Sequence, residues 1–225
     1  MLADSAFLAH AHALTIETNL AARLHQRSGI DPVLSPLVQE QVASTDPATA
    51  ALAMQALAAQ ARFIEQQRRM HLPLAELPGD LLHALLQSLR GLDAAGPQPL
   101  AACEARLRAQ FSESERRVGL FARLLMAMDR KAVRALAIDH AGLAIFLTAL
   151  AMASEQERDL AAMALVDSQF ARLALALRAV GLSQAAVEEQ FLYLHPDVTL
   201  PDGFASVTAD RANALLASLR PELAD

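Results

Sequence analysis

The sequence predicts an all-α protein of about eleven helices in an irregular antiparallel array, on three observations. The chain is 54% hydrophobic, with alanine and leucine supplying the excess, whereas aromatics make up 4% and tryptophan is absent. Alanine and leucine head the helix-propensity ranking, while β-branched and aromatic residues favour strands. Apolar residues recur at helical spacing, and capping residues, prolines and glycines punctuate the chain at short intervals.

The elements follow in order. A first helix is predicted from about Ser5 to Arg27, stopped by Gly29. Asp31-Pro32 and Ser35-Pro36 precede a short helix to about Ala43, with Asp31-Pro32 read as a helix opening, and Asp46-Pro47 opens a long helix to about Arg69. In each pair a capping side chain precedes a proline, whose missing N–H costs nothing at the first helical position. Pro73 and Pro78-Gly79 break the chain, and Asp80 begins a helix with a stripe of Leu81, Leu82, Leu85, Leu86 and Leu89. The segment 91–99, rich in glycine and proline, reads as a linker between an N-terminal helical subdomain (1–90) and a C-terminal one (100–225), or as a long loop within one continuous domain.

Beyond the linker a helix is predicted from Leu100 to Gln110. Ser112 with Glu115, and Ser154 with Glu157, have the capping-box spacing that marks helix starts. Val118, Phe121, Leu125 and Met128 form one buried stripe, and Asp129 is a candidate cap for the next helix. The apolar run Ala141 to Ala153 is too short for a bilayer span of about 20 residues and reads as a buried core helix. Phe170, Leu173, Leu177 and Val180 repeat the helical spacing up to Gly181, and Ser183 starts a helix carrying Val187, Phe191 and Leu194. His195 to Val207 reads as a loop, followed by a last helix from Ala209 to about Leu219.

Several of these segments have a familiar look together. Leu14-Thr15-Ile16-Glu17-Thr18-Asn19-Leu20-Ala21-Ala22-Arg23-Leu24, then Asp31-Pro32-Val33-Leu34-Ser35-Pro36-Leu37, then Asp46-Pro47-Ala48-Thr49-Ala50-Ala51-Leu52-Ala53-Met54 with Gln60-Ala61-Arg62-Phe63, form one group. Leu143-Ala144-Ile145-Phe146-Leu147-Thr148-Ala149-Leu150-Ala151 and Leu175 to Ser183 form another. Across most of the chain they resemble the bacterial family of domain of unknown function 2336. The resemblance implies a HEAT-like helical array and a cytoplasmic bacterial protein with no assigned reaction, and it supplies no catalytic residues.

Composition narrows function further. A net charge of −6 disfavours nonspecific nucleic-acid binding, which requires a basic surface to displace counterions. Cys103 is the one cysteine, so the chain has no internal disulfide and fits a reducing compartment. The N-terminus lacks the basic start of a secretion signal, and the expectation is a cytoplasmic protein without membrane insertion. No Gly-x-Gly-x-x-Gly, P-loop or His-Glu-x-x-His pattern is present, so the sequence predicts no cofactor, no metal and no catalytic activity.

The candidate residues are few. From Glu104 to Arg134 eight basic residues stand against four acidic ones. Arg106, Arg108, Arg116, Arg117, Arg123, Arg130, Lys131 and Arg134 are the candidate contact strip for an unidentified protein partner, unless they form a solvated face with pairs such as Glu113 and Arg117 at i, i+4. His12, in Ala11-His12-Ala13-Leu14, is a candidate phosphoacceptor because histidine phosphotransfer proteins are helical bundles with a His-x-Leu core. Thr15 and Ile16 depart from that pattern, which has lysine and glycine there. His195-Pro196-Asp197 matches the tripeptide of J-domain co-chaperones, but the helix before it lacks basic residues and reads as a simple helix end. Asp139-His140 diverge on a helix and make no ready dyad, and His10 and His12 lack a metal-ligand spacing. The expected role is a protein-interaction or scaffold module, with a homo-oligomer as an open alternative and a phosphorelay component using His12 as the second reading.

Overall fold

A computed structural model describes residues 4–90 and 97–218. Among these residues there are twelve α-helices and no strands, as the composition requires. The capping signals operate as chemistry. Asp4 accepts from the backbone N–H of Ala6 and Phe7, opening α1 (Ser5–Ser28), and Gly29 closes it in the left-handed region at φ 67°. Asp31-Pro32 opens no helix, because the Asp31 carboxylate accepts from Val33 and Leu34 in a turn; Ser35 caps α2 (Pro36–Val42), and Asp46 caps α3 (Pro47–Arg68) by accepting from Ala48 and Thr49. After a short 3-10 turn, Leu74–Glu76, comes α4 (Gly79–Arg90), then α5 (Pro97–Gln110). Most of the expected linker, residues 91–96, lies outside the described residues, while Pro97 to Pro99 belong to α5.

The middle of the chain departs from its capping signals. Ser112 makes no side-chain cap, and α6 (Arg117–Met128) starts only after a 3-10 turn at Glu113–Glu115. That turn lies against the first turn of α6, so a Cβ on Gly119 would sit 2.0 Å from the Glu113 backbone oxygen. Asp129 does not cap a new α-helix. It takes φ 49°, ψ −128°, strained for a residue with a side chain, and leads into a 3-10 segment, Asp129–Leu136. The four-residue α7 (Ile138–Ala141) is separated from α8 (Leu143–Ala153) by Gly142, whose φ of 71° with ψ 159° suits glycine alone. Ser154 ends α8 instead of beginning a helix, because its hydroxyl donates back to the Leu150 carbonyl. The remaining helices are α9 (Arg158–Met163), α10 (Phe170–Ala179), α11 (Gln184–Leu194, capped by Ser183) and α12 (Ala209–Ser218).

The apolar run is the heart of the core: every residue of α8 from Leu143 to Ala151 is buried. Around it α1 packs on α8, α9 and α11, α3 packs on α6, and α10 packs on α12. The main hydrophobic cluster therefore draws side chains from Ala13 to Leu216, on both sides of the segment expected to divide the chain. A smaller cluster of Leu77, Leu81, Leu82 and Leu86 takes in Phe7 from α1 and Leu107 and Phe111 from beyond the linker. No helix among the described residues is long and apolar enough to cross a membrane.

Candidate functional site

The basic strip expected between residues 106 and 134 does not exist as one surface. Arg117 is the decisive correction. It opens α6 where α6 meets α1 and α3, and its side chain is 1% exposed. Its Nη1 donates to Glu17 Oε1 at 2.6 Å and to Gln60 Oε1 at 3.2 Å, its Nη2 reaches Glu17 Oε2 at 3.2 Å, and its Nε donates to Glu76 at 2.9 Å. The guanidinium carbon lies 3.7 Å from the centroid of the buried Phe63 ring, a cation–π contact. The i, i+4 partner suggested by sequence, Glu113, instead accepts from the backbone N–H of Gly79.

Glu17 is the hub of this interior. Arg158 donates to both of its oxygens, at 2.9 and 3.0 Å, and also reaches Thr148 and the Ala144 carbonyl. Burial opposes the charge on Glu17, but the charges and hydrogen bonds of Arg117 and Arg158 outweigh it and hold the carboxyl well below its usual range. Burial likewise opposes the charge on Arg117, and Glu17 and Glu76 outweigh it and hold the guanidinium above its ordinary value. His10 completes the network at its rim. Its Nδ1 lies 2.8 Å from Asp159, and its Nε2 donates to the Glu76 carbonyl at 3.0 Å. Three acids and three basic side chains from four parts of the chain thus satisfy one another, the condition under which buried charge is tolerated. Two clefts are lined in part by the network: Glu76 and Arg117 border both, and His10, Arg158 and Asp159 border one of them.

The other strip residues scatter. Arg108 pairs with Glu104, which also receives Arg90 across from α4. Arg116 is half-buried with its guanidinium 5.0 Å over Phe111. Arg134 forks onto Glu40 of α2 at 2.8 and 2.9 Å. Arg106 is exposed, and Arg123 donates to the Ser114 carbonyl. Arg123, Arg130 and Lys131 are exposed, and the Lys131 charge joins Arg134 in holding the Glu40 carboxyl below its usual range.

The charge pattern did not reveal one further surface feature. Leu125 and Met126 of α6, Ala132, Val133 and Leu136 of the 3-10 segment, Ala149, Met152 and Ala153 of α8, and Val180 line an open groove of about 320 Å³. Every lining side chain is uncharged and apolar. Met126, Val133 and Met152 are 63%, 61% and 42% exposed. In a 3-10 helix, residues three apart eclipse, so Arg130, Val133 and Leu136 form one row and Asp129, Ala132 and Ala135 another. Lys131 and Arg134 form the next row, toward Glu40.

No protein-family model, curated protein or solved structure matches the chain.

His12 is exposed on α1, as a phosphoacceptor must be, but none of its hydrogen bonds or ion pairs among the described residues brings a cation or amide to it. His10, two residues away, is buried with both nitrogens engaged, so the two share no site. His195 is the C-cap of α11, buried, with its ring 5.5 Å from Phe191, so the His-Pro-Asp tripeptide serves as a helix end. Asp139 is exposed while the His140 ring is 3.8 Å from Glu40. Cys103 is exposed on α5. The signal for the groove was present in sequence: Met126 and Val133 are large apolar residues that fall off the 118–121–125–128 stripe.

Proposed function

We infer that this chain is a non-catalytic protein-interaction module whose docking face is the groove between α6, the 129–136 segment and α8. The observation that carries this reading is the convergence of three exposed apolar side chains, Met126, Val133 and Met152, on one groove lined by nothing charged. Scattered surface leucines need no explanation, whereas a continuous apolar recess is a typical contact site. The volume is at the lower end of the ~300–1,000 Å³ of small-molecule sites and suits a few apolar side chains of a protein partner. The ionisable groups that are buried together, around Glu17, bond to one another, which favours a structural role for them over a reactive one.

Sequence-adjacent helix pairs, α2 with α3, α8 with α9 and α10 with α11, are the units a HEAT-like array would stack, in keeping with the resemblance to domain of unknown function 2336 and a cytoplasmic bacterial protein. The test is isolation of the tagged chain with its stoichiometric partner from cells that express it. Val133→Glu is expected to abolish that complex, while Leu192→Glu, at an exposed leucine on α11, leaves it intact. A complex indifferent to Val133→Glu contradicts the reading. The exposure of His12 favours a phosphorelay role as the second reading, tested by acid-labile phosphate transfer to the wild-type chain but not to His12→Ala.

A further inference from the structure

We propose that the cleft between α1 and the turn after α9 binds a small monocarboxylate with a short aliphatic tail. The cleft shares no lining residue with the apolar groove. α1 brings Ile16, Asn19, Leu20 and Arg23 to it, at the i, i+3, i+4 and i+7 spacing that keeps four side chains on one helix face. Leu165 and Val166, just past the end of α9, form the opposite wall. Leu20 and Leu165 are buried and make an apolar floor, and the half-buried Ile16 and Val166 flank it. The volume of about 290 Å³ falls just below the ~300–1,000 Å³ of small-molecule sites, so the occupant is small.

The polar groups of the cleft select the head group. They are the Asn19 amide and the Arg23 guanidinium, one turn apart on α1, and none of the six lining residues is acidic. Arg116, Arg117 and Arg158, which border the cleft beside the clamp, each face an acid: Glu76 and Glu113 for the first, Glu17 for the other two. Glu17 follows Ile16 in sequence but is turned inward and spent on those arginines. Neither Arg23 nor Asn19 has a hydrogen bond or ion pair among the described residues. A guanidinium forks onto a carboxylate through two parallel N–H···O bonds, and an amide NH₂ one turn away donates to the same group. One cation balances one negative charge, which favours a monocarboxylate over a phosphate dianion. The floor offers the rest of the ligand no polar side chain, so its tail is aliphatic.

The experiment titrates the full chain with hexanoate at neutral pH and follows backbone amides by NMR, with acetate and hexylammonium as controls. The expected result is saturable shifts at residues 16–23 and 165–166, with a Kd of about 1 mM for so small a ligand in an open cleft. Acetate, which has the head without the tail, and hexylammonium, which has the tail with the opposite charge, are each expected to bind about tenfold more weakly or worse. Arg23→Ala is expected to weaken hexanoate about tenfold, and Asn19→Ala less. Both variants alter exposed side chains on a helix and favour its propensity, and their melting curves confirm that they fold. No saturable shift, shifts centred on Met126 and Val133 instead, or binding indifferent to Arg23→Ala overturns the proposal. Equal binding of acetate means an adventitious ion only, and equal binding of hexylammonium removes the charge assignment; either overturns it. Asp167 follows Val166 in sequence, and Asp167→Asn is expected to leave hexanoate binding unchanged. A tenfold gain in that variant would show that the chain supplies its own carboxylate to Arg23, which also overturns the proposal.

Discussion

Glu17 on α1 accepts hydrogen bonds from both Arg117 and Arg158, residues 100 and 141 positions further along the chain. One carboxylate thereby ties the first helix to α6 and α9, and Glu76 and Gln60 tie the same arginine to two more elements. The clamp uses the residue type that the sequence suggested for a surface strip, and burial sets Arg117 apart from the exposed arginines.

Removing one partner of the clamp leaves buried charge without its counterpart. Glu17→Ala and Arg117→Ala are each expected to destabilise the fold by about 3–5 kcal/mol, read as a shift in the urea unfolding midpoint. Arg117→Lys is expected to recover little of this, because a lysine ammonium cannot fork onto Glu17 while also meeting Glu76 and Gln60.

The same carboxylate sets an acid limit. Its folded-state value lies well below the ordinary 4.5, so its stabilisation is fully present above that pH and is lost as pH falls below it. Urea stability of the wild type should fall steadily from about pH 5 to pH 3, and Glu17→Gln should show a shallower slope over that interval, from a lower starting point. Equal slopes would mean that other carboxylates govern the acid transition.

Gly119 occupies a place where no side chain fits, since a Cβ there meets the backbone of Glu113 and Ser114 and not a yielding side-chain end. Gly119→Ala gains helix propensity of about 1 kcal/mol but must displace the 113–115 turn, and the net effect is expected to be a lower melting temperature. A raised melting temperature would show that the turn moves freely.

Asp129 holds a backbone conformation that costs a residue with a side chain of order 1–3 kcal/mol. Asp129→Gly should relieve part of that strain and raise stability by about 1 kcal/mol by denaturant titration. A loss of stability would show that the carboxylate earns its place through contacts.

Local signals were legible in the sequence, and long-range ones were not. Asp46-Pro47, Gly29 and Ser183 each act within four residues and mark the end they were expected to mark, whereas of Asp31-Pro32 and Ser35-Pro36 only the second opens a helix. The run around Leu147 is apolar on every face and so could only be buried. Ser154 shows the ambiguity of such signals: a serine near a helix end caps the next helix or bonds back to the previous one, and its hydroxyl chose Leu150. Arg117 was illegible because nothing nearby in sequence distinguishes it from Arg116. Its partners on α1 and in the 74–76 turn arrive only with the tertiary fold. The groove was half-legible, as large apolar residues off the buried stripe of α6, but its third wall comes from α8.

The claim that the groove is a docking face is tested most directly by placing a photo-cross-linking amino acid at position 133 and irradiating the chain in the cells that express it. The account predicts a discrete adduct with one partner, mapped to one segment of that partner, and none when the same amino acid replaces Leu192. Adducts from position 192 but not from 133, or no adduct at 133 from a chain shown to be folded, would contradict it.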